Sequence, residues 1–171
     1  MRRIATLCAI FSLVVGAAAA QTTPAPAASP APPPPYGAPI DLARAENAIA
    51  AAIAEAVKRG WTMNVAVVDS GANLVAFARM DGAQLASIAI AEHKARAAAA
   101  FRRPTRAFED ATRNGPSAPV TSLDGVIASA GGVPLVVDGK LIGAVGCSGG
   151  SSAQDEATCL AGAAAINGGP D

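Results

Sequence analysis

The sequence predicts an α+β fold: one mostly antiparallel sheet, built from two hairpins, packed with helices. Two observations carry that prediction. Short Val-rich runs come in two pairs, each joined by a tight turn, and alanine-rich stretches with helical period lie before, between and after them. Hairpin strands are antiparallel, so the strand pairs argue against a parallel crossover sheet.

Asp41 is placed to N-cap a helix in which Leu42, Ala45, Ile49, Ile53 and Ala56 recur at helical spacing, and Gly60 stops it. MNVAVVDS (63–70) reads as a strand, Gly71 to Asn73 as a turn, and LVAFARM (74–80) as the returning strand. Asp69 has the position of an Asx-turn residue. Gln84 to Arg102 is helical, and Pro104 ends that helix or opens a short second one. RNGPSAPVTSLDG (113–125) reads as loop. GVPLVVDGKLIGAVG (132–146) reads as a hairpin, because Asp138-Gly139 suits a type I′ turn with positive φ at both positions. A last helix runs from about Ser152 to Ile166 and ends at Gly168. The runs Val65–Val68 and Leu135–Val137 lack alternation, which predicts a sheet covered on both faces.

The chain divides into three parts. Residues 1–20 have a positive start at Arg2 and Arg3, an apolar centre and Ala18-Ala19-Ala20 before Gln21, the pattern of a cleaved secretory signal peptide. That predicts a periplasmic or secreted protein with no stable membrane anchor after cleavage. Residues 21–39 are Pro- and Ala-rich without charge and read as a disordered linker. Residues 40–171 form the domain. Without the leader's two arginines, 13 − 2 = 11 basic residues face 13 acidic ones, a net charge of −2. No basic patch suggests nucleic acid. Two cysteines remain, Cys147 and Cys159. An oxidising compartment permits a disulfide between them, and two buried free thiols are the alternative.

Three blocks in this order resemble the GlcG/HbpS family of haem-binding proteins. They are VAVVDSGANLVAFARMDGA (65–83), the helix carrying Ile90, Ala91, Lys94 and Ala95, and GGVPLVVDGKLIGAVGCSGG with QDE behind it (131–156). The similarity covers residues 41–167. The family usually has a second Gly where this chain has Ala72, and an apolar residue where it has Cys147. The resemblance implies a profilin-like fold, a homo-oligomer (often an octamer built from dimers) and non-covalent binding of haem or a related tetrapyrrole. Iron-binding D/E-x-x-E motifs linked to the family do not occur here.

Several residues carry chemistry that bears on that expectation. GCSGG (146–150) matches G-x-S-x-G, the nucleophile elbow. An acyl-transfer Ser148 needs a base, and the single histidine, His93, lies upstream of it, whereas elbow enzymes place it downstream. Ser148, Gly149 and Gly150 serve better as a strand-to-helix turn whose N–H groups hold an anion, such as a carboxylate or haem propionate. His93 can ligate haem iron. Its neighbours on a helical wheel, Ala86, Ala89, Ala97 and Ala100, admit a flat ligand or a packed helix. Met80 is a possible soft axial ligand and Arg79 a possible propionate partner, although both also belong to a strand end. Lys94 is rotated away from His93 and is placed to pair with Asp155 or Glu156. The leading expectation is an exported haem-binding protein for sequestration or sensing. Two rivals are an organic-acid enzyme or auxiliary protein in which the GCSGG turn, Arg79 and Lys94 form an anion pocket at a subunit interface, and a non-catalytic oligomeric accessory module; Lys94 is thus also a candidate ligand contact.

Overall fold

Asp41 begins helix α1 (Leu42–Arg59), its side chain accepting from Arg44 N. Gly60 ends the helix at φ 70°, with its N–H turned back to Ala56 and Val57 carbonyls. The structure is a computed structural model and describes residues 32–113, 120 and 122–168. The expected leader, the first part of the Pro/Ala-rich stretch and most of the loop expected at 113–125 lie outside the described residues.

Strands β1 (Asn64–Asp69) and β2 (Leu74–Arg79) form the first hairpin. Asp69 Oδ1 accepts from Gly71 N at 2.8 Å and Asn73 N at 2.9 Å, so the Asx turn is made as expected. Ala72 sits in that turn at φ 64°, in the left-handed region. Helix α2 (Ala86–Phe101) comes next, then a short α3 (Arg106–Arg113) just beyond Pro104. Strands β3 (Gly132–Val137) and β4 (Lys140–Ser148) meet at Asp138 and Gly139, with φ 49° and 72°, the positive pair that a type I′ turn requires. Helix α4 (Ser152–Asn167) closes the order, with Ser151 and Gln154 forming a capping box.

The four strands make one antiparallel sheet in the order β2-β1-β4-β3. Register assigns its faces. Val65, Val67, Val145 and Cys147 share one face with the core beneath α1 and α4. Ala66, Val68 and Ala144 share the other with Ala91, Ala95, Ala98 and Ala99 of α2. Both faces are covered, which is why the strand runs lack alternation. The alanines of α2 allow its backbone to lie directly on β4: a Cβ at Gly146 would run into Ala91 O and Ala95 N.

The end of the Pro/Ala-rich stretch is fastened to this domain. Tyr36 forms a parallel bridge with Leu141 at the start of β4, beyond the last residue that pairs with β1. Leu141 N donates to Pro35 O at 2.8 Å, and the Tyr36 hydroxyl donates to Ala100 O at 2.9 Å. The composition of residues 21–39 hid this anchor because a single aromatic and backbone bonds carry it.

Candidate functional site

The GCSGG turn is where β4 hands over to α4. Ser148 is the last strand residue, paired with Asn64 of β1, and is buried. Gly149 and Gly150 turn their N–H groups inward onto one oxygen: Asp155 Oδ1 accepts from Gly149 N at 3.0 Å and from Gly150 N at 2.9 Å. Ser151 N donates to Gln154 Oε1. The turn does bind an anion, and the anion is the chain's own carboxylate.

The other oxygen of Asp155 meets Lys94 of α2, whose Nζ donates to Oδ2 at 2.7 Å and to Cys147 O at 3.3 Å. The side chains of Lys94 and Asp155 are only 1% and 4% exposed. Burial of an ion pair is tolerable only when further hydrogen bonds complete it, and two backbone donors plus one carbonyl do that here. Of the two partners expected for Lys94, Asp155 is the one it meets; Glu156 instead pairs with Arg106 across α3 and α4. Lys94, Gly149 and Gly150, expected as ligand contacts, are all turned onto Asp155 in this chain. The Gly149 and Gly150 N–H groups and two of the three Lys94 donors are engaged within the chain, and a ligand anion at the turn would have to displace Asp155. A Cys147–Cys159 disulfide ties β4 to α4 beside this pair, with Cα atoms 5.6 Å apart.

His93, the residue before Lys94, points the opposite way. It is exposed on the outer face of α2, with Ala86, Ala89 and Ala100 exposed along the same stripe. Ala97, expected beside it, is buried instead. Arg79 is exposed at the end of β2, and the register Asn64↔Arg79 puts it on the α2 side of the sheet. Met80 is on the other side: it packs against the α1/α4 core, and its sulfur accepts from Met63 N at 3.4 Å. Met80 and His93 therefore lie on opposite sides of the sheet within one chain. An exposed imidazole among small side chains suits one face of a flat macrocycle whose iron takes a histidine. Among the described residues, no three His, Cys, Asp or Glu side chains come together to hold a metal ion.

Asn64 and Glu109 are among the buried polar groups that escaped sequence reasoning. Asn64 is fully buried at the foot of α2 and donates through Nδ2 to Gln84 O at 3.2 Å. Glu109 is buried on α3 and accepts from Ala130 N at 2.7 Å. Burial pushes the Glu109 carboxyl upward, but the Ala130 N–H and the Arg106 and Arg113 guanidiniums outweigh it and hold its pKa below the ordinary value of 4.5. The spacing Arg106-x-x-Glu109-x-x-x-Arg113 is a helical charge pattern that could have signalled the cluster.

The fold and site define a profilin-like α+β domain with a self-filled anion turn and an exposed histidine face. The chain belongs to the HbpS-like family: a family model described as "Haem degrading protein HbpS-like" matches residues 40–164. Protein GlcG of Escherichia coli K12 is 45% identical over 100 residues, 58% of this chain and 74% of that protein. Among solved structures, the PduOC:haem complex is similar with a TM-score of 0.69 and 30% identity, covering 75% of this chain and 96% of that one. A double mutant of Streptomyces reticuli HbpS is similar with a TM-score of 0.70 and 31% identity, covering 83% and 99%.

Proposed function

We propose that this chain is an exported protein that binds haem, or a closely related tetrapyrrole, without a covalent link, for sequestration or sensing. The observation that carries the reading is membership of a family whose solved relatives include a haem complex. The exposed His93 face agrees with it. On this reading His93 is the iron ligand and Arg79, on the same side of the sheet, is the candidate partner for a propionate. The stripe on α2 offers one wall only, so a second copy of the chain supplies the other, consistent with the homo-oligomer that the family resemblance implies. Export is supported by the leader pattern and by a disulfide, a bond that persists in oxidising compartments.

The test is the absorption spectrum of protein purified from its native compartment. A Soret band that shifts in His93→Ala supports both ligand and site. A Soret band unchanged in that variant removes His93 as the ligand. An amino terminus at Gln21 in the exported fraction supports cleavage, and a retained leader contradicts it.

A further inference from the structure

The disulfide and the buried ion pair both hold the first turns of α4: the ion pair joins it to α2, and the disulfide joins it to β4. Cys147 takes part in both: its carbonyl accepts from Lys94, and its sulfur is bonded to Cys159. Cys159 lies four residues after Asp155, one turn further along α4. The closed segment therefore contains the whole turn: Gly149, Gly150, the Ser151–Gln154 capping box and Asp155. Both cysteines are fully buried, and so is Lys94. Seating Asp155 on two N–H groups requires α4 to begin at one distance from β4, and a covalent bond one turn later sets that distance.

We propose that the Cys147–Cys159 bond is a covalent latch that keeps Asp155 seated between Lys94 and the turn, so that thiol reduction releases this turn before the rest of the fold. The chemistry is ordinary exchange with a dithiol. One thiolate attacks a cysteine sulfur and displaces the other as a thiolate. The second thiol of the reductant then closes its own disulfide and expels the remaining cysteine. Two electrons pass from the dithiol to the protein, which gains two thiols. Because both sulfurs are buried, exchange waits on local opening of the α4 start. The latch forms where thiols are oxidised, which ties the folded turn to the compartment that the leader pattern predicts. This inference stands apart from haem binding and needs no ligand.

The measurement is amide hydrogen exchange on the intact protein, with and without dithiothreitol, after alkylation under denaturing conditions has counted free thiols. The oxidised protein is expected to show Cys147 and Cys159 blocked to alkylation. Reduction is expected to speed exchange at Gly149 and Gly150 on the order of a hundredfold, the scale that loop closure of this length gives, while β1 amides keep their protection. The double variant Cys147→Ala/Cys159→Ala is expected to match the reduced protein and to ignore dithiothreitol. Free thiols at Cys147 and Cys159 in the isolated protein would overturn the proposal. So would unchanged exchange at Gly149 and Gly150, or an equal loss of protection in all strands, which would make the bond a staple of the whole fold.

Discussion

Asp155 has three donors on its two oxygens, and that count decides the chemistry of the turn. Removing one side of such a buried pair strands the other. Lys94→Met is expected to destabilise the fold by about 3–5 kcal/mol, read from urea unfolding. A cost below about 1 kcal/mol would mean that the ammonium is not paired as described. Glu109 sets a pH dependence. Its folded pKa lies below the unfolded value, so its stabilisation is full above the ordinary value of 4.5 and is lost as pH falls through the folded value. The urea midpoint should drop on acidification below that range, and Glu109→Gln should flatten the drop; an equal slope in both proteins would contradict it. Ala72, at φ 64° where the family usually has Gly, carries left-handed strain. Ala72→Gly is expected to gain about 0.5–1 kcal/mol after the entropy of the added glycine is counted; a loss would show that the turn is unstrained. At this scale Lys94–Asp155 was legible because helix rotation and a first-turn acid suggested it. The seating of Asp155 on Gly149 and Gly150 was not, because a strand-to-helix turn looks the same whether its anion is a ligand or a side chain.

At the scale of elements, turn chemistry made the hairpins readable. Asp138-Gly139 and the Asp69–Asn73 turn were both signalled by residues whose backbone preferences are local. Helix α2 was legible in extent but not in its contact. Its alanines were compatible with a flat ligand or a packed partner. Most of those buried face β4, and the reason lies in Gly146, far away in sequence. Gly146→Ala is expected to cost about 3 kcal/mol or more, since two backbones touch there and neither has room to move. A near-neutral effect in thermal unfolding would show that α2 does not rest on β4. The Tyr36 anchor was illegible for the opposite reason: composition averages over a segment, and one side chain in nineteen residues determines where it docks.

For the whole molecule, the three sequence blocks correspond to parts that meet in space. The first hairpin, α2, and the β3–β4 hairpin with the head of α4 converge on the Lys94–Asp155 pair and the strands beside it. One side of α2 thus fastens the fold and the other presents His93. Family membership was legible through three blocks together more than through any single motif, because a lone histidine and a glycine turn each have ordinary structural uses. The most direct measurement is a titration of the purified mature protein with hemin, followed by absorbance. A haem-binding chain is expected to give a saturable Soret shift with a fixed ratio of haem to chain. A spectrum that tracks free hemin throughout, with no saturation, would contradict it.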